Sequence, residues 1–231
     1  MPDSDAPPHT RACLKREGRR ATFLIQPPHQ PPRTLKRWPL TPALALKLAL
    51  GIAQPQRLIR GAGHLARAGV LTAQPTSPWR IVRAKRGWDV EIELEHHLGK
   101  HALKWLKCDT IPPAQRLPTA RCLGRIVARL AQAGILHRDF KPSNIIIHHD
   151  GQDPVIALID TVAVKTRVAP AVAAADMLAH LAFIPPSFMP FLTPDVIAAV
   201  LRSALRALPS DCHREVLTRL RRARRSVGRC A

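Results

Sequence analysis

The run Ile135-Leu136-His137-Arg138-Asp139-Phe140-Lys141-Pro142-Ser143-Asn144 holds a carboxylate, an ammonium and an amide within six consecutive residues. Phosphoryl transfer asks for such a set. It needs a carboxylate near the acceptor hydroxyl, a cation to offset charge on the transferred phosphate, and oxygen ligands that hold Mg²⁺ across the phosphates. Asp139 suits the base, Lys141 the charge neutraliser and Asn144 the metal ligand. A second metal carboxylate must come from chain that returns beside this loop. Two short apolar runs, Ile145–His148 and Val155–Ile159, are bounded by Asp150-Gly151 and Asp153-Pro154, and predict a β-hairpin with a six-residue loop. Asp160 comes directly after the second run and is the expected carboxylate.

Other elements must position this loop. Residues 1–10 are polar and Pro-rich and read as a disordered lead-in. Arg11–Lys15 and Ala21–Gln26 have strand character on either side of a charged turn, and a Pro-rich connector leads to a third strand-like segment, Arg33–Trp38. Thr41-Pro42 reads as an N-cap followed by Pro at the first helical position, opening a helix that stops near Gly51. A second helix is predicted over Gln56–Ala68. Strands come next at Trp79–Ala84 and Trp88–Glu95. In the latter Val90, Ile92 and Leu94 alternate with Glu91, Glu93 and Glu95, the period of a strand buried on one side. A helix is expected from Pro118 to Gly134, and three more over Ala171–Ala182, Thr193–Leu208 and Ser210–Arg225. Strands dominate the first half and helices the second.

His137-Arg138-Asp139 with Asn144 five positions after the Asp resembles the catalytic loop of the protein-kinase superfamily, and Asp160 matches the Mg²⁺-binding Asp of its Asp-Phe-Gly motif. The resemblance implies an α+β, two-lobed protein-kinase-like fold: a small antiparallel-sheet N-lobe over residues 11–95 and a mainly helical C-lobe over 96–231. It implies ATP and Mg²⁺ as cofactors, and it assigns Lys36, on the third strand, to the nucleotide phosphates beside Lys141, Asn144 and Asp160. Glu93 and Glu95 fall where the hinge between lobes is expected.

The segment after Asp160 narrows the branch. Only fifteen residues separate Asp160 from Asp176, the expected counterpart of a core-helix Asp, and no Ala-Pro-Glu lies between them. The peptide-binding platform of eukaryotic-type protein kinases has no room there. The chain is most similar to the lipopolysaccharide core (Kdo/WaaP) kinases, through Leu35-Lys36-Arg37-Trp38, Leu65–Val70, Gly134–Phe140, Val155–Asp160 and Asp176-Met177-Leu178. Such kinases phosphorylate a sugar hydroxyl of the lipid-linked core at the cytoplasmic face of the inner membrane. The chain departs from the superfamily pattern in several places. Lys141 is a feature of Ser/Thr protein kinases, Thr161-Val162 replaces Phe-Gly, and Gly18 is the only glycine near the first strands. No acid occurs between Glu17 and Asp89, so Leu58 stands about where a helix Glu would pair with Lys36. A sugar or glycolipid kinase is the leading reading. A small atypical Ser/Thr protein kinase and a pseudokinase acting as a binding module are the alternatives.

Composition frames these readings. The 231 residues carry 36 Lys+Arg against 16 Asp+Glu, a formal net charge of +20. With 27 of the basic residues Arg, part of this reflects the base composition expected of a GC-rich genome. Five scattered cysteines without a CxxC pair argue against a disulfide framework or zinc finger. Pro42–Ala53, the longest apolar stretch, is broken by Lys47 and too short to span a bilayer, and no signal-peptide pattern opens the sequence. The expectation is a cytoplasmic protein with peripheral attachment to the inner face of the membrane. Arg214–Arg229 carries seven arginines, with Val216, Leu217 and Leu220 at helical spacing, and is the candidate contact with anionic lipid. Nucleic acid is disfavoured as a partner, because no recognised motif accompanies the charge and aromatic residues for stacking are few. His96-His97 and His148-His149 are neighbours on strands, where successive side chains point apart, so neither pair suits chelation.

Overall fold

The computed structural model describes residues 7–106, 112–151, 153–182 and 193–227. They fall into two compact units. One runs to Ala62 and includes Ala73–His97; the other takes Gly63–Thr72 and the chain from Leu98 onward.

The first unit is built on five antiparallel strands. In chain order it contains β1 (Thr10–Glu17), β2 (Arg20–Ile25), β3 (Arg33–Pro39), α1 (Pro42–Ala49), the start of α2 (Gln54–Arg67), β4 (Arg80–Ala84) and β5 (Gly87–Glu95). The sheet order is β1-β2-β3-β5-β4. Gly18, at φ +59°, makes the tight turn between β1 and β2. The expected N-cap is present: Thr41 Oγ1 accepts a hydrogen bond from the Leu44 amide at 3.2 Å, and Pro42 opens α1. Leu48 of α1 and Ala53 pack with Val90 on one side of the sheet.

The strand pattern of β5 predicts one wet face, and the structure differs. Val90, Ile92 and Leu94 are buried as expected, but so are Asp89, Glu91 and Glu93. The reason is a cover of arginines. Register places Arg37 opposite Glu91 and Arg33 opposite Glu95 on the same face. Arg37 Nε donates to Glu91 Oε1 at 2.7 Å, Arg33 to Glu93 at 2.8 Å and Arg19 to Asp89 at 2.9 Å. Arg80, on the β4 edge, reaches both Glu91 (3.3 Å) and Glu93 (2.9 Å). The Arg37 guanidinium also lies 5.5 Å from the centroid of the Phe23 ring, within cation–π range. Burying a carboxylate costs several kcal/mol unless it is paired and hydrogen-bonded, so acid and base here are mutually dependent.

The second unit begins with the end of α2 and continues through β6 (Lys100–His101), α3 (Ala102–Leu106), α4 (Pro113–Gln132), β7 (Leu136–His137), β8 (Ile145–Asp150), β9 (Asp153–Leu158), β10 (Val164–Lys165), α5 (Pro170–Ala182), α6 (Pro194–Ala207) and α7 (Ser210–Val227). One core gathers Leu65, Val127, Leu130, Phe140, Ile145, Leu158 and Met177 from these elements. Helix α4 starts five residues before Pro118, which sits inside it. It ends at Gln132, and Gly134 just beyond, at φ +66°, turns the chain into the loop of interest. Helices α4 and α6 approach so closely at Gly124 that a Cβ there would lie 2.3 Å from the Val200 carbonyl oxygen. The hairpin is tighter than the sequence suggests. Asp150 pairs with Asp153, leaving a two-residue loop that opens on Gly151 at φ +64°, the backbone such loops demand.

Asp176 and α7 fall on the elements expected for them, each with a distinct burial pattern. Asp176 lies on α5 but is exposed, while Ala173, Ala174, Ala175, Met177 and Leu178 are buried. Its position lies on the narrow outward stripe of an otherwise buried helix. Much of the apolar side of α7 packs inward. Val216 is fully buried and Cys212 and Leu220 pack on the core, leaving an exposed face of arginines; Arg229 lies outside the described residues. Cys13, Cys122 and Cys212 are free thiols.

Replacing Glu91 by Leu should destabilise the protein by about 3 kcal/mol, because Arg37, mostly buried, loses the charge that offsets its burial. The double variant Glu91→Leu/Arg37→Met should lose less than the sum of the single variants in urea melts. Additive losses would show that the pair is not coupled.

Candidate active site

The loop between α4 and β8 is held at both ends. Leu136 and His137 form β7 and pair with Lys165 and Val164 of β10, while the Arg138 amide donates to the Ala163 carbonyl at 3.1 Å. Phe140 is buried in the core and fixes the middle of the loop. Pro142–Asn144 then makes one 3₁₀ turn into β8, with the Asn144 amide donating to the Lys141 carbonyl at 2.9 Å. His101 Nδ1 lies 2.7 Å from the Ser143 carbonyl oxygen.

Three of the expected residues meet here. Asn144 Nδ2 donates to both the carbonyl oxygen of Asp139, at 3.0 Å, and its Oδ2, at 2.8 Å. Lys141 Nζ lies 2.9 Å from the same Oδ2. Burial alone would push the Asp139 carboxyl up. The hydrogen bonds from Lys141 and Asn144 outweigh it, and with the charge of Lys141 they hold the pKa below the usual value. Asp139 is therefore an ionised acceptor at neutral pH, and it is half-exposed, so an acceptor hydroxyl can reach it.

The hairpin brings the fourth residue back. Ile145 pairs with Leu158, and one step further the Ile159 amide donates to the Asn144 carbonyl at 2.9 Å. Asp160 is thus the next residue after a direct link to Asn144. It takes a left-handed backbone, φ 63° and ψ 58°, uncommon outside glycine though Asp tolerates it better than most residues. A 3₁₀ turn, Thr161–Ala163, comes at once after it. The donor set fits a hard divalent cation. The Asn144 amide nitrogen is committed to Asp139, which leaves its oxygen as an acceptor, and Asp160 adds a carboxylate; Mg²⁺ typically takes one or two protein oxygens beside phosphates and water. Among the described residues no cluster of three or more His, Cys, Asp or Glu forms a metal site of another kind.

Lys36 belongs to the first unit. It lies half-buried on β3, opposite Ile92 of β5 and Thr22 of β2, on the face away from the buried carboxylates. Helix α2 contains no acid, and Leu58 on it is buried. Glu93 is absorbed by Arg33 and Arg80, and Glu95 Oε2 accepts from the Gln74 amide at 3.3 Å. The histidine pairs serve the fold: His96 Nδ1 lies 3.1 Å from Thr34 Oγ1, and His149 Nε2 lies 3.3 Å from Thr119 Oγ1.

One residue of the loop carries a role that its sequence position does not announce. His137 is buried, stands edge-on to Phe140 with ring centroids 6.0 Å apart, and has no well-aligned hydrogen-bond partner at either ring nitrogen among the described residues. Burial is the largest influence and lowers its pKa, against the opposing fields of Asp139 and Asp160. His137 is thus a buried imidazole kept neutral at neutral pH, within the fields of Asp139 and Asp160.

The α+β fold and the loop define a class. The chain is a kinase-like phosphotransferase with an alcohol group as acceptor. Residues 88–194 match the model of the lipopolysaccharide kinase (Kdo/WaaP) family. Among solved structures, WaaP in complex with acyl carrier protein is similar at a TM-score of 0.64 and 19% identity, over 95% of this chain and 89% of that one. The kinase domain of Mycobacterium tuberculosis PknI, studied as a double mutant, aligns at a TM-score of 0.43 and 18% identity, over 93% of this chain and 94% of that one. No curated protein matches the chain.

A histidine kept neutral by folding makes the unfolded chain the better proton acceptor, so stability rises with pH between the folded and unfolded pKa values. Stability should be complete above about 6.5 and fall as the pH drops below it. His149, lowered by burial and by His148, contributes in the same direction. In urea melts across this range, His137→Leu should flatten the acid-side loss. An unchanged slope would assign that loss to other groups.

Proposed function

We infer that this protein transfers the γ-phosphate of ATP to a hydroxyl of a sugar in lipopolysaccharide core or a related glycolipid. The observation that carries the reading is the Asp139–Asn144–Lys141 cluster with Asp160 delivered beside it, inside the segment that matches the family. In this reading Asp139 Oδ2 accepts the hydroxyl proton as the acceptor oxygen attacks. Its lowered pKa keeps it free of a proton beforehand. Lys141, within 2.9 Å of that oxygen, screens charge on the transferred group and orients the carboxylate. Asn144 and Asp160 are assigned to Mg²⁺, which when bound neutralises the phosphates. Lys36 is assigned to the nucleotide phosphates. Since α2 carries no acid, any carboxylate orienting Lys36 must come from outside that helix.

The short chain between Asp160 and α5 favours a small acceptor. It makes one 3₁₀ turn and the two residues of β10, and enters α5 at Pro170. Nothing in that stretch is long enough to lay out a peptide. Peripheral attachment to an anionic membrane, if driven from α7, rests on charge alone. Arg214, Arg221, Arg222, Arg224 and Arg225 are exposed, while the apolar side of the helix is occupied by the core. No helix among the described residues is long and apolar enough to cross a membrane.

Purified protein with labelled ATP and Mg²⁺ should phosphorylate lipopolysaccharide-core oligosaccharide and leave a casein-type protein unlabelled. Labelling of the protein substrate alone would replace the sugar reading with the Ser/Thr-kinase reading that Lys141 allows. Nucleotide binding without transfer to either acceptor would favour the pseudokinase.

A further inference from the structure

Helices α4 and α6 line a groove of about 610 Å³ in the second unit. Four arginines line it, two from each helix: Arg121 and Arg125 from α4, Arg202 and Arg206 from α6. Within each pair the spacing is one helical turn, so the two guanidinium groups emerge on the same side. Asp195 is the one acid on the lining, and among the described residues it forms no ion pair. Arg202 Nε is satisfied by its own helix, at the Ala198 carbonyl, 3.3 Å away. Arg121, Arg125 and Arg206 have no side-chain partner among the described residues.

Some arginines elsewhere in the molecule are handled differently. Arg19, Arg33, Arg37, Arg80 and Arg219 each meet a carboxylate within 2.9 Å. The lining of this groove holds four exposed arginines and a single acid. The scaffold beneath them is stiff. Gly124 brings the helices into backbone contact, Ser203 Oγ donates across to the Arg121 carbonyl at 2.8 Å, and Gln132 Nε2 donates to the Ala207 carbonyl at 2.6 Å.

We propose that the α4–α6 groove binds a ligand carrying phosphate groups, held by Arg121, Arg125, Arg202 and Arg206. Guanidinium presents paired N–H donors to an oxyanion, so two arginines one turn apart suit a phosphate with three terminal oxygens. Charge fits as well. Four arginines less Asp195 leave an excess that two phosphomonoesters, each of charge about −1.5 to −2 at pH 7, would balance. A lone carboxylate would not. The phosphates can come from a soluble bisphosphate or from a lipid headgroup at a membrane surface. The inference is independent of the kinase reading, because none of its residues belongs to the catalytic loop or to Lys36.

The test is arginine footprinting of the full-length protein. Phenylglyoxal labelling is quantified at each arginine by mass spectrometry, with inorganic pyrophosphate, with vesicles of phosphatidylcholine and phosphatidic acid, and with phosphatidylcholine vesicles alone. Arg57, exposed on α2, is the reference. The four groove arginines should be protected at least threefold while Arg57 is unchanged. Protection by pyrophosphate supports a soluble phosphate ligand, protection by acidic vesicles alone supports a headgroup, and protection by both supports recognition of the phosphate itself. Protection that also appears with neutral vesicles, or that includes Arg57 equally, would overturn the proposal, as would its absence with every probe. Arg121→Gln/Arg125→Gln, at exposed positions where Gln is a good helix former, should abolish protection at Arg202 and Arg206. Retained protection in that variant would also overturn it.

Discussion

The geometry of the second unit converges on Asn144. Its backbone carbonyl receives the Ile159 amide and so fixes where β9 ends, while its side-chain amide holds both the backbone and the carboxylate of Asp139. One residue thereby links the base to the chain that delivers Asp160. The link depends on the register of β8 and β9, because a slip of one residue would turn every side chain of a strand to the opposite face. That register is secured by burial of Ile145, Ile147, Ile156 and Leu158, and by Thr72, whose hydroxyl donates to the Leu158 carbonyl at 2.8 Å. A polar site is thus held in place by the packing of an apolar hairpin behind it.

The excess of +20 is not spread evenly in its consequences. Several of the acids that the chain does have are concentrated where they are buried or reactive. Asp89, Glu91 and Glu93 sit under arginines on one strand, and Asp139 and Asp160 flank the loop. Arginine suits the first setting better than lysine, since one planar group can bridge two carboxylates, as Arg80 does between Glu91 and Glu93. Many of the remaining arginines are left to exposed surfaces, those of α7 and the α4–α6 groove among them. The interval without acids, from Gly18 to Trp88, is why β3 and α2 bring cations to the first unit while β5 brings its carboxylates.

The catalytic loop is legible in the sequence because its chemistry is written in ten consecutive residues and its partner lies one hairpin away. The N-cap at Thr41 is legible for the same reason, being a local contest between a hydroxyl and an unpaired amide. Features that depend on a neighbour are not. Alternation in β5 implies a wet face, since nothing local reveals that Arg33, Arg37 and Arg80 cover its acids. The hairpin suggests a six-residue loop because His149, Asp150, Asp153 and Pro154 are poor strand formers, and pairing across the ladder overrides their preference. Asp176 matches a core-helix Asp by its place in a motif, yet helical phase turns it outward. The close contact at Gly124 and the burial of Val216 depend on α6 and α5, which the sequence places far away.

The role of Asp139 as the base is tested most directly by a single kinetic comparison. Wild type and Asp139→Asn are compared with labelled ATP, Mg²⁺ and lipopolysaccharide-core oligosaccharide, with nucleotide affinity measured separately. The variant should bind nucleotide as well as wild type and lose transfer by a factor of about 10² to 10⁴, the usual contribution of a positioned base. Transfer by the variant within about threefold of wild type would contradict that role.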